Sequence, residues 1–278
     1  MSWFQKIGRV ALAMVLTASL AGCVTQWERT SGEELYALKF QRTNTAPREG
    51  VKPIEAKDVR PGDILFSAEN GTNSIGVRLF NNASVSHAFI ALNNNLIAES
   101  IGTGIRIIPL AEAIETSTLV AVYRHPDLVS ADVAKMVAFA DSHEGSKYNY
   151  GGILKQAPFS VLRKVCELPV NPRMIRSVCL SSMATIMVSP FKSDRYFCSQ
   201  FVVEAFNFAG KPLTKANPEW VNPNDLLHMR EDDIPSIKPN VELTYVGHLQ
   251  CSESVWNMKC MAQGESAAPI VRMGQANK

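Results

Sequence analysis

Six cysteines and five histidines are the side chains through which this chain could carry nucleophilic or metal chemistry, and Cys198 has the most informative surroundings. It stands in Tyr196-Phe197-Cys198-Ser199-Gln200-Phe201-Val202-Val203-Glu204-Ala205-Phe206, after a break at Ser189-Pro190 and a polar turn at Lys192-Ser193-Asp194. Phe201, Ala205 and Phe208 recur at offsets of four and three, the spacing of one helix face. Cys198 therefore falls at or near a first helical turn. There the unpaired backbone N–H groups and the positive end of the helix dipole favour a thiolate over a thiol. Taken alone, Cys198 reads first as one more small core residue, since free cysteine is among the most buried types.

A thiolate nucleophile needs a base against it and a third group to fix that base's tautomer. His87 opens a strand-like run, Ser86-His87-Ala88-Phe89-Ile90-Ala91-Leu92, and Asn93-Asn94-Asn95 turns the chain into Leu96-Ile97-Ala98-Glu99-Ser100. The hairpin brings Glu99 within side-chain reach of His87. An inward carboxylate on so apolar a strand is costly unless something uses it; the alternative is a charge on an edge strand facing solvent. His125 precedes a proline and His143 ends a helix, so capping or surface roles suit them, while His228 and His248 have no local partner pattern. No cofactor is called for. No Cys-x-x-Cys or closely spaced His/Cys set suggests a metal, and the Gly-x-Ser-x-Gly elbow of serine hydrolases is missing.

The first residues set the compartment. Lys6 and Arg9 precede an uncharged apolar run from Val10 to Leu20, and Leu20-Ala21-Gly22-Cys23 reads as a lipobox. Such a run is short for a membrane span and has the layout of a secretory signal. Residues 1–22 are thus a signal to be removed, and Cys23 is the lipidation site holding the mature chain to a membrane, several acyl chains on one residue giving a stable anchor. Val24, not Asp, follows it, which points to the outer membrane, facing the periplasm, where the host has two membranes. In an exported, oxidising compartment the five remaining cysteines suggest two bridges and one free thiol. Local pairing, Cys166 with Cys179 and Cys251 with Cys260, leaves Cys198 alone. Charged residues are 19% and the net charge is +2, without a basic stripe, which sets nucleic acid aside.

Around these residues the chain reads as an α+β protein. Residues 23–50 form a lipid-anchored tether with at most one short helix, 51–245 one catalytic domain, and 246–278 a polar tail carrying the second cysteine pair. Strands are expected at Ile64-Leu65-Phe66, 86–92, 96–100, 105–109 and 119–124, as a small antiparallel sheet. Short helices are expected around 75–80 and from Asn222 to Met229. A helix capped by Ser130 should run from Ala131 to about Ser142, and Tyr148-Asn149-Tyr150-Gly151-Gly152 makes a rigid turn. A mostly helical insertion fills 153–194.

Gly62-Asp63-Ile64-Leu65, Ser86-His87-Ala88-Phe89-Ile90, Glu99, Tyr148-Asn149-Tyr150-Gly151 and Phe197-Cys198-Ser199-Gln200-Phe201-Val202 occur in that order. This set resembles the permuted NlpC-type papain-like amidases, in particular their YaeF/YiiX lipoprotein-like branch, over roughly residues 55–230. Unpermuted relatives place the cysteine helix before the histidine strand; here the order is His, Glu, Cys. The resemblance implies a circularly permuted papain-like fold, with a small antiparallel sheet packed against the nucleophile helix. It implies a thiol hydrolase with Cys198 as nucleophile, His87 as base and Glu99 as orienting residue. Two features depart from the pattern: the length of the 153–194 insertion, and Asn149 where such relatives often carry Asp. The expected reaction is hydrolysis of an amide or peptide bond through an acyl-enzyme, with cell-wall (peptidoglycan) peptides as a substrate suited to the location. An acyltransferase or lipid-amide hydrolase on the same triad is the alternative chemistry. An idle binding lipoprotein is the alternative without chemistry.

Overall fold

The turn at Pro61-Gly62 delivers the chain into a strand whose five residues are all buried, as a short unbroken apolar run between two covered faces should be. The computed structural model describes residues 25–29, 36–42, 44–47, 50–68, 84–147 and 196–251. Within these, β1 (Thr25–Arg29) and β2 (Tyr36–Phe40) pair with each other. A six-stranded sheet contains β3 (Ile64–Ala68), β4 (His87–Ala91), β5 (Leu96–Ile101), β6 (Gly104–Pro109), β7 (Leu119–Arg124) and β8 (Thr244–Cys251). Its order is β6-β5-β4-β3-β7-β8, antiparallel throughout. The helices are α1 (Leu110–Glu115), α2 (Ser130–His143), α3 (Cys198–Ala209) and α4 (Pro223–Leu227).

Strand alternation splits the core into two layers. On one face Ile64, Phe66, Ala88 and Ile90 pack with Phe201 and Phe206 of α3. On the other, Leu65, Phe89, Ile97 and Val122 pack with Leu110 and Ala113 of α1. The helix α2 lies beside α3, with the Phe139 and Phe201 rings 5.6 Å apart. Gly210, left-handed at φ 81°, closes α3 with its N–H on the Asn207 and Phe206 carbonyls. The antiparallel sheet against the cysteine helix is the α+β architecture expected.

Several boundaries differ from the sequence reading. Phe208 is exposed, although its offset groups it with buried Phe201 and Ala205; it rests against the Phe139 ring instead. The helix α2 begins at Ser130 itself, and Asp132 rather than Ser130 receives the free N–H at its start, that of Val129. The short helix α1 has no counterpart in the expected elements. A boundary near 245 falls inside β8, which completes the sheet beside β7. Register irregularities between Val120 and Ala121 and between Val122 and Tyr123, together with Gly247, break the alternation that marks a strand in sequence. Gly247 has no room for a Cβ, which would come within 2.4 Å of Ile54 and 2.7 Å of the Lys52 carbonyl oxygen.

The expected tether is also structured. After the β1–β2 hairpin, Thr45 and Ala46 are fully buried. A line of buried polar groups fixes them. Asp233 accepts from His228 Nδ1 and Arg230 Nε, each at 2.8 Å, and from the backbone N–H of Arg42 and Ile234. Arg230 donates to the Tyr123 hydroxyl and the Asn44 carbonyl, and Tyr123 donates to the Thr45 carbonyl. Thr45 Oγ1 meets His248 Nε2 at 2.9 Å, and the Tyr245 hydroxyl bonds the other ring nitrogen. His228 and His248 thus have structural partners brought from elsewhere in the chain. The expected helix at 75–80, the Tyr148–Gly152 turn, the 153–194 insertion with Cys166 and Cys179, Cys23, and Cys260 with the rest of the tail lie outside the described residues.

Burial opposes ionisation of Asp233, but His228, Arg230 and the two N–H donors outweigh it and hold its carboxyl at about 2, below the ordinary 3.8. A depressed carboxylate contributes stability that is present above its unfolded pKa and lost as pH falls through the folded one. Asp233→Asn should therefore lower stability by about 3 kcal/mol near neutral pH, because Arg230 is left buried without its counter-charge. The deficit relative to the parent should narrow between about pH 4 and about pH 2, as read by urea unfolding.

Candidate active site

The site forms where two strands of the sheet part. Regular pairing of β4 with β5 covers Ile90–Ala98 and Ala91–Ile97 only. Beyond it, the backbone N–H of Ala88 turns to the Cys198 sulfur, and Ser100 Oγ donates 2.7 Å to the carbonyl of Tyr196. The start of α3 takes up groups that a continued ladder would have used. Cys198 is the first residue of α3, as its sequence context required, and is 6% exposed. No side chain caps this helix, since Phe197 occupies the N-cap and Ser199 gives its hydroxyl to the Val221 carbonyl at 2.7 Å.

His87 enters from β4 and Glu99 from β5. The ladder register sets Glu99 opposite Phe89, so His87 reaches it on the diagonal, a neighbour still within reach of long side chains. His87 Nε2 lies 2.5 Å from Glu99 Oε2. With Nε2–H donating to the carboxylate, Nδ1 is left to face the thiol, to which the ring is also hydrogen-bonded. The Phe89 ring, 5.5 Å from the imidazole, supports it from the side. The structure thus brings together all three residues singled out as Cys198, His87 and Glu99.

Their electrostatics follow from those contacts. Burial alone would discharge all three groups. For His87 the hydrogen bonds to Cys198 and Glu99, with their charges, override burial and raise its pKa well above the ordinary 6.5. For Cys198 burial is again opposed, by His87 first and then by the N–H groups of Ala88 and Ser199, and its thiol falls below the ordinary 9.0. Glu99 is lowered against burial by His87 and by Arg106. The three shifts agree in describing a thiolate beside an imidazolium, with an ionised carboxylate behind it.

Arg106 is the group the sequence reading missed. Its Nε and Nη2 lie 2.8 and 2.7 Å from Glu99 Oε1, and its Nη1 reaches Glu112 of α1 at 3.3 Å. The signal was present: Ile101 pairs with Gly104, so Gly102-Thr103 is a two-residue turn that sets Arg106 directly across from Glu99. Gly104 is held at φ 129°, where a Cβ would come within 2.4 Å of the Ser146 carbonyl oxygen, so this turn leaves no space for a side chain.

The remaining candidates sit apart from the thiol. His125 is buried against Phe206 and accepts from the Asp127 N–H, and burial lowers its pKa. His143 bonds the Phe139 carbonyl through Nδ1 and the Tyr196 hydroxyl through Nε2, which steadies the residue two before Cys198. Cys198 is the free cysteine among the described residues. Also among them, no group of three or more His, Cys, Asp or Glu side chains is placed to hold a metal ion.

Comparison with known proteins agrees with this reading of the fold. Residues 58–157, which contain His87, Glu99 and Arg106, match the family described as "Permuted papain-like amidase enzyme, YaeF/YiiX, C92 family". The chain is 41% identical over 218 residues to an Escherichia coli (strain K12) protein named "Probable lipoprotein peptidase YaeF", covering 77% of this chain and 80% of that protein. A crystal structure described as metalloprotein yiiX from Escherichia coli O157:H7 aligns with a TM-score of 0.40 at 16% identity, over 66% of this chain and 89% of that one. With this degree of identity over most of both chains, the protein belongs to the permuted papain-like amidase family of YaeF/YiiX (C92) type.

Proposed function

We propose that the chain is a lipid-anchored cysteine peptidase or amidase of the cell envelope, with Cys198 as nucleophile, His87 as general base and Glu99 as the orienting carboxylate. One observation carries this: the sole free thiol among the described residues starts a helix, touches His87, and finds Glu99 on that histidine's far nitrogen. In this reading the Cys198 thiolate attacks an acyl carbon, and the developing oxyanion is held by backbone N–H groups at the start of α3. The His87 imidazolium protonates the leaving amine. The resulting thioester is hydrolysed by a water that His87 deprotonates, and Glu99 keeps the ring in one tautomer throughout. Acylation of Cys23 would hold the enzyme at the outer membrane facing the periplasm. Bridges between Cys166 and Cys179 and between Cys251 and Cys260 would leave Cys198 as the reactive thiol. Cell-wall stem peptides are the amide substrate that such a location offers.

The lipidated full-length protein, incubated separately with cell-wall peptides and with phospholipid vesicles, tests the chemistry. Release of an amine from the peptides, with an acyl adduct on Cys198 seen by mass spectrometry, is expected. An adduct formed only from phospholipid would replace the hydrolase with an acyltransferase. Cys198→Ala should abolish turnover, and retained activity would remove Cys198 from the mechanism. His87→Ala should lower kcat/KM by about 10³-fold, and Glu99→Gln by less.

The pH dependence has a definite sign. With Cys198 lowered and His87 raised, the ion pair persists between the two pKa values. Alkylation of Cys198 by iodoacetamide should therefore stay nearly flat from about pH 8.5 down to about pH 6.5, where an unperturbed thiol slows by roughly tenfold per unit. A steady decline across that window would contradict the ion pair.

A further inference from the structure

Glu99 carries two different duties on its two oxygens. Oε2 faces His87 at 2.5 Å, while Oε1 takes the Nε and Nη2 of Arg106 side by side. Among the described residues, the titratable or charged groups around this carboxylate are few. His87 faces it from β4 and Arg106 from β6; Glu112 of α1 stands behind the guanidinium, and Cys198 of α3 lies beyond the imidazole. Exposure divides them: the Glu99 side chain is 5% accessible, whereas that of Arg106 is 39% accessible. The guanidinium is therefore not a core filler whose removal would open a cavity.

We propose that Arg106 is a positioning residue of the catalytic site, which locks the orientation of Glu99 and keeps that carboxylate a weaker base than His87. This rests on the triad reading above and extends it. The physical need is specific. A carboxylate hydrogen-bonded at 2.5 Å to an imidazolium, both largely shielded from solvent, competes for its proton. If the proton passed to Glu99, the cation that stabilises the thiolate would vanish. A fixed cation on the far oxygen lowers the proton affinity of the carboxylate and leaves the charge on His87. Two donors of the rigid fork converge on Oε1 and hold it in place, which a single flexible ammonium does less well. Glu112 draws on the third guanidinium nitrogen and sets the direction from which Arg106 arrives.

Alkylation of Cys198 in the full-length protein tests this without knowledge of the substrate. The rate with iodoacetamide is measured against pH for the parent, Arg106→Gln, Arg106→Lys and His87→Ala, beside the thermal midpoint of each. Loss of the cation raises the pKa of Glu99 and of the thiol together, so the acid limb of the Arg106→Gln profile should move upward by about one pH unit. The Arg106→Lys limb should move up by less, with charge kept and the fork lost. Neither shift should scale with the change in thermal midpoint. An Arg106→Gln limb that coincides with the parent's makes Arg106 a staple of the β5–β6 hairpin and overturns the proposal. Should Arg106→Gln fail to fold, Arg106→Lys decides: an upward limb supports the proposal and a parental limb ends it. A parent profile that already matches His87→Ala and an ordinary thiol would instead show that the triad reading itself fails, whatever Arg106 does.

Discussion

The charge of Glu99 is the constraint around which the surroundings of Cys198 and His87 are arranged. A carboxylate at 4% exposure loses its hydration, and the free energy lost is several kcal/mol unless charged or hydrogen-bonding partners replace the water. Both partners here come from neighbouring strands, His87 from β4 and Arg106 from β6. The anion therefore couples three strands through side chains, where the β4–β5 ladder has opened and the β5–β6 ladder runs on unbroken. It also couples the sheet to α3, because Glu99 favours the charged form of His87 and His87 in turn favours the thiolate of Cys198. Taking Glu99 away leaves the buried His87 without its counter-charge, which is why such networks respond to single deletions more strongly than pairwise sums suggest.

The opened ladder and the uncapped helix serve the same end. A capping side chain on Phe197's position would occupy the first-turn N–H groups that a thiolate and an oxyanion need. A β4–β5 ladder continued past Ile90 would have claimed the Ala88 N–H that points at the sulfur. Each is a small local loss, offset by the apolar packing of Phe201, Val202 and Phe206 behind the thiol, all fully buried.

Much of this was legible in the chain. Cys198 at a helix start, His87 and Glu99 on a hairpin, and five of the six strands of the sheet follow from period, turn residues and the cost of a buried charge. What escaped did so for physical reasons. Arg106 emerges only when the hairpin register across Gly102-Thr103 is worked out, because its partner Glu99 lies on the neighbouring strand rather than in its own segment. The strand β8 hides behind Gly247 and two register breaks, so neither length nor alternation identifies it. The burial of Thr45 and Ala46 depends on Arg230, Tyr123 and His248, which lie 78 to 203 positions away in the bonds that hold the segment. Such long-range polar pairing leaves no periodic trace.

The order of the segments adds a last point about how the site tolerates permutation. His87 and Cys198 are 111 positions apart in the chain. Closing so long a loop costs little more than closing one of half its length, about 0.6 kcal/mol per doubling. What the site requires is that α3 dock its first turn against the gap between β4 and β5, and the apolar face of α3 supplies that docking whichever element comes first. The juxtaposition of Cys198, His87 and Glu99 is thus fixed by sheet register and helix packing, both of which are indifferent to where the chain enters. The same packing could be reached with either the His87–Glu99 hairpin or the Cys198 helix first in the chain.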